Sequence, residues 1–257
     1  MMRVAGRKLC RRVSKTLVAF AIIVCSGQTM LAAPDTYMFA PVATPAHSIM
    51  RLAVFVLALA AGIWTILAAL TLYGIVKYRA RKGDEHIEPP QVFGSTEIEL
   101  AWTIIPILII VILFLTTAGV LFGMQHASKP KSALDVVVIG HQFWWEFRYP
   151  GLNISTANEL HLPVSDQRDP RPVFMKLTSA DVIHSFWIPR IAGKVDVIPN
   201  RINELWVDPR IPGLYLGQCA QLCGAEHAKM LLRVFVDTPD QFEAWVRQQQ
   251  KPANEDA

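Results

Sequence analysis

The chain combines a strongly apolar first half with a polar second half. It has 257 residues, of which 52% are hydrophobic, and its mean hydropathy of +0.31 is high for a soluble protein. The formal net charge of +4 originates at the N-terminus, because six basic residues and no acid lie in the first 33 positions. From Lys129 onward there are 14 basic and 15 acidic residues, so this part is nearly neutral and nothing in its charge points to nucleic-acid binding.

Residues 1–33 are predicted to be a signal peptide or leader. A basic stretch ending at Lys15 precedes an apolar run from Leu17 to Val24, which is the order found in export signals. Ile22 to Cys25 forms an imperfect lipobox, and an uncleaved third membrane helix is the alternative. The sequence contains no Cys-x-x-Cys-His, which argues against covalent attachment of a c-type haem.

Residues 34–128 are predicted to form a two-helix membrane anchor. The runs 52–76 and 100–123 are uncharged and apolar, and each is long enough to cross a hydrocarbon core of roughly 30 Å. Because cytoplasmic loops are enriched in Lys and Arg, the loop between the two runs is placed in the cytoplasm and the later domain outside. The basic residues of this loop are Lys77, Arg79, Arg81 and Lys82.

Residues 129–250 are predicted to form a β-rich domain, followed by a tail at 251–257. Short segments rich in β-branched and aromatic residues alternate with Pro, Gly and Asp, which is typical of a sandwich or barrel. A closing helix is predicted over Pro239–Gln250, because Phe242, Trp245 and Val246 share one face. The predicted strands are Leu134–His141, Gln142–Tyr149, Val173–Ser179, Asn203–Val207, Leu214–Gln218 and Leu231–Asp237.

Four potential metal ligands lie close together near the C-terminus: Cys219, Cys223, His227 and Met230. Thiolate and thioether ligands suit copper and argue against magnesium or calcium. A single blue-copper ion needs one Cys, whereas two Cys could bridge a pair of copper ions. A binuclear site needs a second imidazole, and His184, between two strand-like stretches, is the best candidate.

Two simpler interpretations of these residues remain open. A Cys-x-x-x-Cys pair in an exported protein could be a structural disulfide. A structural zinc site would require four Cys or His ligands and has little use for Met230.

Four segments together resemble the copper A domain of cytochrome c oxidase subunit II. They are Gly140 to Tyr149, Asp181 to Pro189, Lys194 to Arg201 and Pro212 to Gly224. The resemblance implies two transmembrane helices in a hairpin, followed by an all-β, cupredoxin-like Greek-key domain with a short C-terminal helix.

The resemblance also implies a ligand set for a binuclear copper A centre. Cys219 and Cys223 would bridge both copper ions. His184 and Met230 would complete one copper, whereas His227 and the backbone carbonyl of Gln221 would complete the other.

The chain departs from the family pattern at two positions. The family often has Glu where Gln221 stands, and that carboxylate helps to bind magnesium at the junction with subunit I. The family usually has Trp, which receives the electron from cytochrome c, where Phe143 stands. Trp144 or Trp145 is the predicted replacement for this role.

Glu99 resembles a family Glu at the start of the second membrane helix, at the cytoplasmic mouth of a proton path. The same residue could instead anchor a helix end at the membrane interface, although ionisable groups near membrane depth favour function.

The predicted function is electron input from cytochrome c to haem in subunit I of an oxidase that reduces oxygen and pumps protons. The partners are then subunit I, other oxidase subunits, cytochrome c and the lipid bilayer. The predicted location is a bacterial inner membrane, with the copper domain on the periplasmic side. A copper-free quinol oxidase subunit and a copper carrier or structural anchor are the alternatives, and the complete ligand set argues against the first.

Overall fold

The computed structural model describes residues 37–79, 91, 93–125, 127–131, 133–166 and 170–251. The predicted leader lies outside these residues, and so do Arg81 and Lys82 of the basic loop and all of the tail beyond Lys251.

Two long helices, α1 (Thr44–Lys77) and α2 (Thr96–Gln125), confirm the two predicted membrane spans. Their 34 and 30 residues correspond to about 51 and 45 Å, well above the ~30 Å of a hydrocarbon core. Most of their apolar side chains are exposed, as expected of surfaces that face lipid or other membrane helices. The second helix begins at Thr96, a few residues before the predicted run 100–123, so Pro106 lies inside it.

In the part of the chain that the structure describes, ten strands form two stacked five-stranded sheets, as the predicted sandwich requires. The first sheet has the order β3-β2-β1-β5-β8 and the second has the order β4-β10-β9-β6-β7. The β1–β5 and β4–β10 pairs are parallel and the remaining pairs are antiparallel. The strands are β1 Leu134–His141, β2 Trp144–Tyr149, β3 Ile154–Ala157, β4 Glu159–Pro163, β5 Val173–Ser179, β6 His184–Trp187, β7 Val195–Val197, β8 Asn203–Val207, β9 Gly213–Cys219 and β10 Leu231–Asp237.

Four strands were not predicted: β3, β4, β6 and β7, each of three to five residues. Segments this short show little alternation, so their pairing is decided by neighbouring strands. The predicted strand Gln142–Tyr149 was wrong at its start, because Gln142 and Phe143 form the turn between β1 and β2 and are joined by a cis peptide bond.

The core lies between the two sheets and is built from alternate residues of each strand. In β2, for example, Trp145, Phe147 and Tyr149 are fully buried, whereas the alternate residues Trp144 and Arg148 are exposed. This period of two is what a half-buried strand requires.

The closing helix α3 (Pro239–Gln249) is confirmed and packs on the second sheet. Thr238 and Gln241 form a capping box at its N-terminus. The Trp245 ring stacks on His161 at a centroid distance of 4.4 Å, and His161 stacks on Phe235 at 4.6 Å. This stack fixes α3 against the sandwich.

The membrane anchor is tied to the β-domain at the ends of both helices. The Asp208 carboxylate accepts hydrogen bonds from the backbone N–H (2.7 Å) and the hydroxyl of Thr44, so it caps α1 from another element. At the C-terminal end of α2, the Trp206 indole N–H donates to the Met124 carbonyl at 2.7 Å. The β-domain therefore lies at the membrane surface where α1 begins and α2 ends.

Candidate metal centre

The potential ligands come together at one end of the second sheet. His184 is the first residue of β6, Cys219 is the last residue of β9, and Met230 directly precedes β10. Cys223 and His227 lie in the loop between β9 and β10, with His227 in a short 3₁₀ turn, His227–Lys229. Strand pairing draws these separate segments together, because β9 pairs with both β6 and β10.

The two sulfur atoms lie at the centre of the donor set. Cys219 Sγ is 3.9 Å from Cys223 Sγ, and both thiols are free. Each sulfur has an imidazole nitrogen beside it: His184 Nδ1 is 3.9 Å from Cys219 Sγ, and His227 Nδ1 is 3.6 Å from Cys223 Sγ. The remaining donors are the Gln221 carbonyl, 3.2 Å from Cys219 Sγ, and Met230 Sδ, 3.8 Å from Cys223 Sγ.

The donor groups of His184, Cys219 and Cys223 all lie within 4.8 Å of one another and are buried. Because both thiols are free, the alternative of a structural disulfide does not apply to this structure. All six donors named by the sequence resemblance are therefore gathered at one place, with Gln221 contributing its main chain while its side chain is exposed.

Asp181 orients the imidazole of His184. Its carboxylate lies 2.8 Å from His184 Nε2 and also accepts the backbone N–H groups of Gln142 and Val182. A proton on Nε2 would donate to Asp181, which leaves the lone pair of Nδ1 directed at the sulfurs, as is usual for metal-binding histidines. Burial opposes ionisation here, but hydrogen bonds from His184 and the two amides together lower the pKa of Asp181.

The thiol of Cys223 is held in its protonated form when no metal is bound. Burial, followed by the neighbouring Cys219, raises the pKa of the Cys223 thiol to about 11. Only a thiolate is a good metal ligand, so metal binding must displace this proton.

Two contacts hold the ligand loop against the rest of the domain. The Gln142 side-chain amide donates to the Cys223 carbonyl at 2.7 Å. The Ala220 N–H donates to the Ser185 carbonyl at 2.8 Å, next to His184. Gly224 follows Cys223 at φ +140°, where residues with a side chain are strained.

Gly140, on β1, makes room for His184. A Cβ atom at position 140 would lie only 2.8 Å from His184 Cδ2. The sequence resemblance included Gly140 without assigning it a role, although a glycine inside a strand often marks such a close approach.

The two candidate aromatic residues for electron input occupy different environments. Trp145 is 0% exposed, and its ring meets the rings of His184 and Phe186 edge-on, at centroid distances of 5.9 and 5.2 Å. Trp144 is 36% exposed, and its ring stacks on His141 at 4.3 Å. Phe143, partly buried, packs against the core beside them.

Glu99 lies far from these residues, in the first turn of α2. Its side chain is exposed and its N–H donates to the Ser95 carbonyl at 3.0 Å. Met124, at the opposite end of α2, contacts the β-domain, and 25 residues of helix place Glu99 about 38 Å from it.

The fold and donor set define a class of protein: a cupredoxin-like, thiolate-containing metal domain on a two-helix membrane anchor. Two family descriptions match the chain, "Cytochrome C oxidase subunit II, periplasmic domain" over residues 134–236 and "Cytochrome C oxidase subunit II, transmembrane domain" over residues 32–118. Because these matches cover most of the sequence, the chain belongs to the cytochrome c oxidase subunit II family.

Individual relatives show how far the similarity extends. Cytochrome c oxidase subunit 2 of Alkalihalophilus pseudofirmus is 34% identical over 226 residues, which cover 86% of this chain and 63% of that protein. The probable cytochrome c oxidase subunit 2 of Rickettsia conorii is 30% identical, over 94% of this chain and 81% of the relative. The chain thus spans less than two thirds of the Alkalihalophilus protein's length.

A solved structure is also similar to the β-domain. The periplasmic domain of cytochrome oxidase subunit II of Bradyrhizobium japonicum is 31% identical, with a TM-score of 0.43 over 47% of this chain and 96% of that domain.

Proposed function

We propose that this chain receives electrons from cytochrome c outside the membrane and delivers them to haem in subunit I of an oxidase that reduces oxygen and pumps protons. The observation that carries the proposal is the gathering of two buried, free thiols with two imidazole nitrogens, a thioether and a backbone carbonyl. Family membership supports the same assignment.

The donor set fits a pair of copper ions. Each of the two central sulfurs has its own imidazole beside it, so a bridged pair would find one imidazole at each end. Cys219 and Cys223 would bridge, His184 and Met230 would hold one ion, and His227 with the Gln221 carbonyl would hold the other. A bound pair would supply one-electron redox chemistry to the site.

The protein's contribution is a rigid and dry ligand frame. His184, Cys219, Cys223 and Met230 are all buried, which excludes water from most of the donor atoms. Asp181 fixes one imidazole, and Gln142 fixes the carbonyl of Cys223. Ligands held in this way move little when the charge of a site changes, which favours rapid electron transfer.

Of the two tryptophans, Trp144 is the better candidate for contact with cytochrome c. Its ring is partly open to solvent, whereas Trp145 is covered by the core on all sides. Trp145 instead contacts the ring of His184, so it would be a buried neighbour of that ligand.

The membrane anchor and the family support our proposal for the remaining partners and the location. The apolar helices would contact the bilayer, subunit I and other oxidase subunits, in a bacterial inner membrane with the β-domain in the periplasm. Gln221 supplies no carboxylate, so a magnesium ion at the subunit I junction would lack the side-chain ligand that the family Glu provides.

The test uses the full-length chain in its assembled oxidase. We expect a pair of copper ions in this subunit, a paramagnetic spectrum split by two equivalent copper nuclei, and rapid oxidation of reduced cytochrome c in stopped flow. Splitting by one nucleus would contradict the binuclear site. A copper-free complex that oxidises quinol but not cytochrome c would overturn the proposal in favour of a quinol oxidase.

We further propose that Glu99 delivers protons to subunit I from the cytoplasmic side. Glu99→Gln keeps the shape of the side chain but removes its ability to ionise, so turnover of the oxidase should fall while the copper spectrum stays normal. Glu97→Gln, a change of the other acid in the same helical turn, is the matched control and should leave turnover close to that of the unmodified enzyme. Equal turnover in all three proteins, across the pH range of activity, would remove the role of Glu99.

A further inference from the structure

A cavity of about 520 Å³ lies between the two membrane helices, near their junction with the β-domain. Its volume falls within the roughly 300–1,000 Å³ of ordinary small-ligand sites. Most of its wall is apolar and comes from both helices, including Leu52, Phe55, Leu115 and Val120. Ser48 and Arg51 lie among the lining residues of α1.

Arg51 lies at the edge of the apolar run of α1, on the side of the β-domain. It directly precedes the uncharged run 52–76 and is seven residues from the start of α1, at the end of the helix that joins the outer domain. This is the depth at which lipid phosphates lie, because the apolar run itself is long enough to fill the bilayer core.

The charge of Arg51 is uncompensated within the described part of the chain. No carboxylate there forms an ion pair with it. Asp208, which lies at the same junction, is already engaged by Thr44 and Arg210. A guanidinium at this depth is therefore available for an external anion, and phosphate is the anion that its planar fork suits.

We propose that this cavity is a binding site for an anionic phospholipid, with an acyl chain between α1 and α2 and its phosphate on Arg51. The apolar wall matches a hydrocarbon chain, and the single cation at the outer mouth matches the headgroup. The apolar wall would therefore bind the acyl chain, and Arg51 would bind the phosphate at the end of the cavity nearer the β-domain.

Two glycines keep the cavity open on the side of α2. Gly119 and Gly123 lie one turn apart and both line the cavity. A Cβ atom at either position would meet nothing within 4 Å. A larger residue would therefore occupy space that the acyl chain needs without displacing any atom of the folded chain.

To test this, the assembled oxidase is purified in detergent in three forms: the unmodified protein, the Arg51→Gln variant and the Gly119→Leu variant. Native mass spectrometry counts the retained phospholipids, and rebinding is titrated with phosphatidylglycerol and phosphatidylcholine. We expect each variant to lose one tightly held anionic lipid. Arg51→Gln should weaken rebinding of phosphatidylglycerol about fivefold, the effect of one basic residue at a membrane surface, with a smaller effect on phosphatidylcholine.

Two control variants separate this site from general effects. Lys77→Gln removes a cation at the other end of α1, and Gly62→Leu enlarges an α1 glycine that does not line the cavity. Both should retain the lipid. Equal lipid counts in all five proteins would overturn the proposal. Loss of another subunit from Gly119→Leu, with lipid unchanged in Arg51→Gln, would also overturn it, because a protein helix would then fill the cavity.

Discussion

Replacement of either central cysteine by serine should abolish the binuclear copper spectrum. Cys219 and Cys223 lie 3.9 Å apart, and each is next to its own imidazole. A serine hydroxyl is nearly the same shape as the thiol but is a poor ligand for copper, which prefers sulfur. Each variant should therefore lose the splitting by two equivalent nuclei in paramagnetic resonance, together with nearly all oxidation of cytochrome c.

Gln221→Ala is the matched control for this experiment. Gln221 lies between the two cysteines, but only its backbone carbonyl faces the site, 3.2 Å from Cys219 Sγ, and its side chain is exposed. The substitution should leave copper content and spectrum unchanged. A normal spectrum in both serine variants would contradict the bridged arrangement, and loss of copper from Gln221→Ala would contradict the assignment of its carbonyl as the ligand.

Substitution of the adjacent tryptophans should lower stability by very different amounts. Trp145 is fully buried against Phe186 and His184, so Trp145→Ala should lower the free energy of unfolding by about 3–5 kcal/mol. Trp144 is partly exposed and stacks on the His141 ring, so Trp144→Ala should cost about 1 kcal/mol or less. Denaturant unfolding of the membrane-inserted protein, followed by circular dichroism of the β-domain, measures both.

Conservative substitutions at the same two positions distinguish a role in packing from a role in electron transfer. Trp145→Phe keeps a buried ring, and the Trp145 indole N–H has no hydrogen-bond acceptor among the described residues, so this variant should unfold much closer to the unmodified protein than Trp145→Ala. Trp144→Phe should slow electron transfer from bound cytochrome c while the copper spectrum stays normal. Comparable stability losses in Trp144→Ala and Trp145→Ala would show that the assigned burial is wrong.

The membrane anchor and the principal strands could be predicted because their signals are local. The uncharged runs 52–76 and 100–123 satisfy a length requirement of the bilayer, and the central strands, such as Leu134–His141, carry enough β-branched residues to be recognised alone. The cluster from Cys219 to Met230 is equally local, since four donors occur within a single strand end and loop.

Other features depend on residues that are distant in sequence. Nothing near Asp208 indicates that it caps α1, because Thr44 is 164 positions earlier. The sequence does not indicate the hydrogen bonds that Gln142 makes near the ligands. Its partners, Asp181 and the Cys223 carbonyl, are 39 and 81 positions away in the chain. Trp144 and Trp145 differ in exposure because adjacent residues of a strand face opposite sides of the sheet, and only the packing of β2 decides which side is buried. This strand also begins two residues later than predicted.

The amino-acid sequence by itself indicated the two membrane spans, the β-rich domain and a cluster of sulfur and imidazole groups, because length, hydrophobic pattern and side-chain chemistry are properties of short segments. Only the tertiary structure decided which donors face one another, which tryptophan is exposed, and where Arg51 meets an open cavity. These depend on strand pairing and helix packing, in which the position of each side chain is set by residues far away in the chain.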